Sequence, residues 1–184
     1  IAKGHIEEGI PAIPAQVVLL VNYLVALRIL DALQKMNQSP QAATMQGRLV
    51  ATQLATALSE LNLRADHRVL ALALAVNGNL AIENYGTAAQ LMGLIRDIGV
   101  PPELRPQLRA KYALCTARGF ENLSPRPSTR LCWHTLLVIA PGTPELKCGL
   151  CPALFSAPSL IEDGLDLNGL CPCCMLGNLV RRHS

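Results

Sequence analysis

Aromatic side chains are scarce in this sequence of 184 residues. They make up 3% of the chain, whereas apolar residues together make up 51%. A buried core must therefore be filled by Leu, Ala, Val and Ile, and such side chains favour close packing of one helix on another. The composition predicts a mainly α-helical protein.

Concentrated charge is also lacking. The net charge of +3 comes from scattered Lys and Arg rather than from runs of them. The one local basic cluster is Arg181, Arg182 and His183, near the end of the sequence. Because binding to nucleic acid requires a concentrated basic face, we expect no nucleic-acid partner.

A long uninterrupted hydrophobic run is likewise missing. The most apolar stretch, from Val17 to Leu27, contains Asn22 and is closed by Arg28. A helix that crosses a bilayer needs about 20 consecutive apolar residues. The stretch is shorter than that, so we expect a buried helix rather than a membrane span.

The apolar residues that are present recur mostly at three- and four-residue steps, as one buried helix face requires. This spacing predicts five helices with short connections, at about residues 15–36, 40–61, 66–76, 82–98 and 103–116. Ser39 and Pro40 are typical of an N-cap and a first helical residue. Asp66 is expected to cap the third helix, and Asn77-Gly78-Asn79 to end it. No clean repeat is found, so the stack is predicted to be solenoid-like.

This helical segment offers no catalytic set. His5 and His67 are isolated in the sequence, and capping explains Asp66 beside His67. A lone histidine is more often structural than functional. We expect that the protein is not an enzyme, and we assign no catalytic residue.

The pattern changes after Gly119. Residues 124–128, Ser-Pro-Arg-Pro-Ser, form a connection through which no helix can propagate. We therefore divide the chain into a solenoid-like α-helical segment, residues 1–124, and a Cys-rich zinc-binding module with short strands, residues 125–184. In the second part, the β-branched and aliphatic run from Thr135 to Ile139 predicts a strand.

Seven cysteines, an odd number crowded toward the C-terminus, favour a reducing, cytosolic compartment over a disulfide framework. Cys148 and Cys151 form one pair, and Cys171 and Cys174 form a second pair after nineteen intervening residues. Two residues between paired cysteines let a tight turn aim both thiolates at one metal, with glycine relieving the crowding. The sequence thus predicts a Zn²⁺ site. Four thiolates leave zinc no open position for water, so we expect the ion to be structural.

The spacing leaves alternatives for the ligands. Cys173 lies beside Cys174, which we prefer because it mirrors the first pair, and Cys132 or His134 could replace one ligand. Burial as a small apolar residue is the simpler role for Cys132 and for mid-helix Cys115. The alternatives to a zinc site are reduced cysteines that merely pack, and an iron–sulfur cluster.

Short motifs also follow one another in a distinctive order. The helical segment holds Asn84-Tyr85-Gly86-Thr87-Ala88-Ala89, then Leu91 and Ile95, then Gly99-Val100-Pro101, then a helix with Arg109, Lys111 and Cys115. Gly169-Leu170-Cys171 leads into the second cysteine pair. This order, over residues 17–176, resembles the C-terminal domain of the α subunit of coatomer, the COPI vesicle coat. It is also similar to related coat-like trafficking proteins of the TSET or intraflagellar-transport type.

The resemblance implies a non-enzymatic scaffold domain at the tail of a larger protein, preceded by β-propellers and a longer solenoid. Its implied partners are protein subunits of a coat complex, among them a helical-repeat subunit similar to the ε subunit of coatomer. It further implies a cytoplasmic protein at Golgi or vesicle membranes, held there peripherally through the complex.

The alternative function is a zinc-ribbon or RING-like interaction module in ubiquitin transfer or nucleic-acid binding. A RING needs two metal sites with about eight ligands, more than this tail offers. A ribbon that binds nucleic acid should carry basic and aromatic residues between its knuckles. Here Glu162, Asp163 and Asp166 make that segment acidic, so we prefer the coat scaffold.

Overall fold

The computed structural model describes residues 15–124, 130–151 and 153–181. Its first range holds five long helices, namely α1 (Ala15–Asn37), α2 (Met45–Ser59), α3 (Ala65–Ala81), α4 (Tyr85–Ile98) and α5 (Arg105–Ala117). The later ranges hold β1 (Glu145–Cys148), β2 (Leu154–Ser156), α6 (Ala157–Glu162) and β3 (Leu179–Arg181). The Pro-rich connection at residues 124–128 lies mostly outside the described residues, as do His5, Arg182 and His183.

The five long helices pack in the order of the sequence. Each contacts the next one along the chain, α2 with α3 and α3 with α4 most extensively. Such a stack of helical hairpins followed by a small Cys-rich module with a sheet is the predicted fold class, and the structure confirms it.

The start of α2 differs from the prediction. Pro40–Ala43 forms a short 3₁₀ turn, and Ser39 makes no side-chain cap. Instead Thr44 caps α2, because its Oγ1 accepts a hydrogen bond from the backbone N–H of Gly47 at 3.0 Å. The predicted helix from residue 40 was therefore wrong at its first turn. Ser39 and Thr44 both carry a hydroxyl that could cap the helix. Because residues 40–43 form a 3₁₀ turn, the α-helix begins after Thr44, and Thr44 is its cap.

The end of α3 also differs, because tertiary packing keeps a helix-breaking sequence helical. The helix continues through Asn77-Gly78-Asn79 to Ala81. A Cβ on Gly78 would lie 2.9 Å from Oγ1 of Thr52 and 3.1 Å from its Cα, so glycine lets α2 and α3 approach closely. The fully buried Asn79 donates to the carbonyl of Ala75. At the other end Asp66 lies in the first turn and Arg64 occupies the N-cap, so the predicted cap was wrong.

The Asn-Tyr-Gly-Thr motif forms the N-terminus of α4, which begins at Tyr85 rather than at residue 82. The loop after α5 covers this terminus. The carbonyl of Glu121 accepts from the N–H of Tyr85 at 2.9 Å, and Oδ1 of Asn122 accepts from the N–H of Thr87 at 3.1 Å. A Cβ on Gly86 would lie 2.5 Å from the Phe120 carbonyl oxygen. The motif therefore has a structural role, satisfying the free N–H groups of a helix end.

The predicted strand from Thr135 to Ile139 is wrong. Residues 133–135 form a turn, in which the N–H of Leu136 bonds the carbonyl of Cys132, and only a single bridge joins Leu131 to Val138. Leu136 has φ +58°, a left-handed conformation that a strand does not contain. The three strands of the described module lie later, with β1 in the centre and β2 and β3 antiparallel on either side.

Buried apolar side chains form two large clusters. One cluster joins α1 and α2 to the module, including Val25, Ile29, Phe155 and Leu160 together with the cysteines of both pairs. The other joins α3, α4 and α5 around residues such as Val76 and Ile95. The two segments therefore share a core. The boundary between residues 124 and 125 remains a prediction. The buried core contains residues from both sides of it.

Helix α1 is, within the described residues, the one helix that length and composition alone would allow to cross a membrane. Its most apolar window has a mean hydropathy of 1.7, and 28% of that window is buried. Buried core helices and signal sequences share these properties. The buried face, which includes Val21, Val25 and Ile29, belongs to the core shared with the module.

Candidate metal centre

The first cysteine pair lies where β1 ends. Cys148 is the last residue of the central strand, and its N–H bonds the carbonyl of Ala153 at 3.0 Å, which closes a tight turn. Within that turn the N–H groups of Leu150 and Cys151 both donate to Sγ of Cys148, each at 3.3 Å. Such donors stabilise negative charge on a sulfur. The two-residue spacing thus produces the tight turn expected from the sequence.

The second pair is held by a similar turn that leads into β3. The N–H of Cys171 bonds the Gly177 carbonyl at 2.7 Å, and the N–H of Met175 bonds the Cys171 carbonyl at 2.8 Å. The N–H of Cys173 donates to Sγ of Cys171, and that of Gly177 donates to Sγ of Cys174, both at 3.4 Å. Both sulfurs therefore face backbone donors, as Sγ of Cys148 does in the first pair.

The two turns bring four sulfurs together. Sγ of Cys148 lies 3.7 Å from Sγ of Cys174, and Sγ of Cys151 lies 3.7 Å from Sγ of Cys171. All four lie within 4.8 Å of one another, and all four residues are buried. Sulfurs bound at ~2.3 Å to one tetrahedral ion are about 3.8 Å apart. The cluster has the dimensions of a four-thiolate metal site, and it is too open for disulfide bonds.

Burial and mutual hydrogen bonds set the proton affinities of this cluster. Hydrogen bonds from Cys148, Cys151 and Cys173 hold the pKa of Cys171 far below its ordinary value. The pKa of Cys148 rises to about 11, because the lowering by Cys151 is outweighed by Cys171 and burial together. The pKa of Cys151 is raised by its hydrogen bonds to Cys148 and Cys171 and by burial. Cys148 and Cys151 therefore keep their protons near neutral pH without a cation, and a bound dication would displace these protons.

Gly177 packs directly against the first cysteine turn, with no space for a side chain. A Cβ at this position would lie 2.5 Å from Sγ of Cys148 and 2.7 Å from Cβ of Leu150. Gly149, the glycine inside the first pair, is less confined, since its Cβ would meet only the Asn178 carbonyl oxygen, at 3.6 Å. The glycine that relieves crowding between the two turns is thus Gly177.

Cys173 is equally buried but does not belong to the group of four sulfurs that could hold a metal ion. Its Sγ lies 3.9 Å from the carbonyl oxygen of Trp133. A hydrogen bond to Cys171 and burial raise its pKa, so it remains a thiol. The preferred assignment of Cys174 as the fourth member agrees with this geometry, because Cys174 lies inside the group that can hold a metal ion.

The upstream alternatives also lie outside the cluster. Cys132 is buried, with its Sγ 3.2 Å from Oγ of Ser159. Burial raises its pKa, but hydrogen bonds from Ser159 and Thr135 outweigh this effect and lower the pKa to about 7. His134 pairs with Asp163 near the surface. Cys115 is buried in the core of α3, α4 and α5, as expected.

Arg28 of α1 contacts the second turn, a role that no sequence pattern indicated. Its Nη1 donates to the carbonyl of Pro172 at 2.9 Å. Its guanidinium lowers the pKa of Cys173, but by less than the hydrogen bond to Cys171 and burial raise it. The two residues are 144 positions apart, and a single Arg near the end of an apolar run has no recognisable spacing to a cysteine. This contact fastens the second turn to α1.

Comparison with known proteins identifies no family for the chain. No protein-family model matches it, and no curated protein is found to be similar to it. Its function must therefore be argued from the chemistry of the cysteine cluster and the surfaces around it.

Proposed function

We propose that this chain is a non-enzymatic scaffold domain of a membrane-trafficking coat, similar to the C-terminal domain of the coatomer α subunit. It docks a partner subunit through its helical surfaces and keeps its shape through one structural zinc ion. The observation that carries the proposal is the closed cluster of four buried cysteine sulfurs within 4.8 Å of one another, set beside a stack of helices.

Zinc is the metal that this donor set favours. Thiolates are soft ligands, and four of them in tetrahedral geometry are characteristic of structural zinc in a reducing compartment. Cys148, Cys151, Cys171 and Cys174 would hold the ion, and it would supply countercharge to four buried thiolates. An iron–sulfur cluster is the less favoured occupant, since it would be expected with an electron-transfer partner.

A scaffold role agrees with the chemistry of a closed site. A catalytic zinc keeps one position for water or substrate, whereas four thiolates fill a tetrahedral ion completely. The shared core of α1, α2 and the module would let such an ion stabilise the helices as well as the tail. Docking of a helical-repeat subunit on the helices, in the cytoplasm and peripherally at Golgi or vesicle membranes, belongs to the same proposal.

The RING-like alternative is less favoured. A RING binds two zinc ions, whereas the described residues contain one group of side chains able to hold a metal. The acidic residues between the two cysteine pairs likewise argue against a ribbon that binds nucleic acid.

The experiment that tests the proposal is affinity capture from cytosol on the immobilised zinc-loaded chain, with identification by mass spectrometry. A coat subunit, including one of the helical-repeat class, is expected on the wild-type chain and on Cys173→Ala. It should be depleted on Cys171→Ser, which cannot hold the ion. Repeated capture without any coat subunit would contradict the proposal, and consistent capture of ubiquitin-conjugating enzymes would favour the RING-like alternative.

A further inference from the structure

Helix α5 ends the stack with most of its surface uncovered. Cys115 is its only buried residue. Tyr112 is 50% exposed and Leu114 is 43% exposed. The helix carries Arg105, Arg109 and Lys111 and no acidic residue. A terminal helix of a stack normally turns a polar face to solvent, so this mixed basic and apolar face calls for an explanation.

A groove of about 540 Å³ runs between α4 and α5. Met92, Val100 and Leu108 contribute its apolar lining, and Tyr112 stands at its side. Met92 is buried, while Val100 and Leu108 are half-buried. The groove therefore offers apolar surface next to an exposed helix, as grooves that receive an amphipathic helix do.

Three arginines line the same groove, although they are scattered in the sequence. Arg96 comes from α4, and Arg105 and Arg109 come from α5. Among the residues that the structure describes, no acidic side chain lines the groove. Arg96 contacts the neighbouring Asp97 at 3.4 Å with both side chains exposed, an interaction that solvent screens.

The remaining guanidiniums are available to a ligand. Arg105 donates through Nε to the Val100 carbonyl at 3.3 Å, which leaves its two terminal nitrogens without a partner among the described residues. Arg109 has no hydrogen bond or ion pair within the described part of the chain. Lys111 points elsewhere, because its Nζ bonds Oδ1 of Asn77. Arg105 and Arg109 have no carboxylate partner among the described residues, and Arg96 has only the exposed Asp97. Guanidinium groups in this state attract carboxylates, which Arg binds in a bidentate manner.

We infer that the α4–α5 groove binds an acidic amphipathic helix of a partner protein. Apolar side chains on one face of that helix would enter the groove, and Glu or Asp beside them would pair with Arg96, Arg105 and Arg109. This inference rests on the proposed docking role and specifies its surface and the chemistry of the partner.

A peptide fits this surface better than nucleic acid does. The groove is largely apolar and has one aromatic side chain, Tyr112, whereas surfaces for single strands stack successive bases on several aromatic rings. Phosphate binding alone would not require an apolar floor. The charge and the apolar lining together match a helix with acidic and aliphatic residues.

Gly93 makes the inference testable without unfolding the chain. It lines the groove, and a Cβ there would meet no atom within 4 Å. Leu has a higher helix propensity than Gly, so Gly93→Leu should fill the groove while α4 stays helical. Arg109→Glu removes the charge match, and Arg68→Glu on the exposed face of α3 makes the same charge change outside the groove.

The experiment is a selection of displayed random peptides of about 16 residues, roughly four helical turns, on the wild-type chain. Peptides that also bind the Gly93→Leu/Arg109→Glu double variant are removed. Enriched sequences should be acidic, with apolar residues at helical spacing. A selected peptide should bind each single groove variant at least about tenfold more weakly, a loss typical of one good contact at an interface. Its affinity for Arg68→Glu should change less than about twofold, since distant surface charges at physiological salt are screened.

The inference is overturned if no peptide distinguishes the wild type from the double variant, or if the enriched peptides lack acidic residues. A labelled single-stranded DNA is titrated in parallel. Tighter binding of the DNA, lost in the same two variants, would assign the groove to nucleic acid instead. If a captured coat subunit binds the groove variants and the wild type equally, the docking role stands and the groove assignment fails. If a peptide binds selectively but no coat subunit is captured, the groove assignment stands and the docking role in a coat fails.

Discussion

Gly177 is the residue that most tightly confines the cysteine cluster, and it yields the first prediction. In Gly177→Ala the new methyl carbon would lie 2.5 Å from Sγ of Cys148, so the two turns must separate. Overpacking of this kind costs about 1–3 kcal/mol, and zinc affinity should fall at least about tenfold, since 1.4 kcal/mol corresponds to a factor of ten.

Competition with a chromophoric zinc chelator measures that affinity. Gly149→Ala is the matched control, because its Cβ meets only one atom, at 3.6 Å. Equal zinc affinities for the two variants would contradict the structure of the second turn.

The proton affinities of the cluster give a prediction for pH. The lowering by Cys151 is outweighed by the hydrogen bond to Cys171 and by burial, so the pKa of Cys148 rises to about 11. Hydrogen bonds to Cys148 and Cys171, together with burial, also raise the pKa of Cys151. The metal-bound state therefore carries fewer protons than the metal-free state, so affinity rises with pH and falls as pH is lowered. Zinc release, followed with the same chelator between about pH 8 and pH 5, should increase steadily toward low pH. A flat profile would mean that thiolates do not hold the ion.

The cysteine cluster is the part of the site that sequence spacing revealed. Two residues between Cys148 and Cys151, and between Cys171 and Cys174, fix local turn geometry, which depends little on the rest of the fold. The contact of Arg28 with Pro172 and the grouping of Arg96 with Arg109 depend on which helices pack together. No local pattern carries that information.

At the scale of the elements, the cap of α2 gives the third prediction. Thr44 Oγ1 accepts a hydrogen bond from the N–H of Gly47, so Thr44→Ala should lower the free energy of unfolding by about 1 kcal/mol. Ser39→Ala should cost less, because the hydroxyl of Ser39 only donates to the Met36 carbonyl and caps no helix. Urea denaturation followed by circular dichroism compares the two variants. A larger loss of unfolding free energy for Ser39→Ala than for Thr44→Ala would show that Ser39, at the start of the 3₁₀ turn, is the cap.

The elements that periodicity predicted well are those whose ends carry local signals. Helix α1 covers the predicted range, and α4 ends at Ile98 with Gly99 as its C-cap, whose φ of +118° excludes most other residues. The failures occurred where tertiary contacts prevail. Gly78 stays helical because it packs against Thr52, and the run after Thr135 turns because Leu136 adopts a left-handed conformation. Neither the helical conformation of Gly78 nor the turn at Leu136 can be predicted from the neighbouring residues.

At the scale of the whole molecule, the core that joins the module to α1 and α2 gives the fourth prediction. Removing the metal should loosen the module together with α1, while α4 keeps its own core with α3 and α5. Hydrogen exchange should therefore speed up at least about tenfold in β1 and α1 and little in α4, because opening follows contiguous cooperative units.

Fluorescence of Trp133, the one Trp of the chain, provides a second readout, because this residue packs against the module core. Its emission should change on metal removal. Faster exchange confined to the module, with α1 unaffected, would show that the two segments have separate cores after all.

The packing of the tail against the first helix could not be predicted from the sequence. The break after Gly119 is a local change of composition. The contact of the tail with the first helix joins residues more than a hundred positions apart, such as Arg28 and Pro172, and a single sequence does not encode such a pairing in any readable pattern.

The most direct test of the central claim is the metal content of the purified chain, measured by native mass spectrometry for the wild type, Cys173→Ala and Cys174→Ser. These two variants change neighbouring buried cysteines, of which only Cys174 belongs to the cluster. A closed four-thiolate site predicts about one zinc ion per chain in the wild type and in Cys173→Ala, and almost none in Cys174→Ser. A wild-type chain without zinc, or a zinc ion lost in Cys173→Ala and kept in Cys174→Ser, would contradict it.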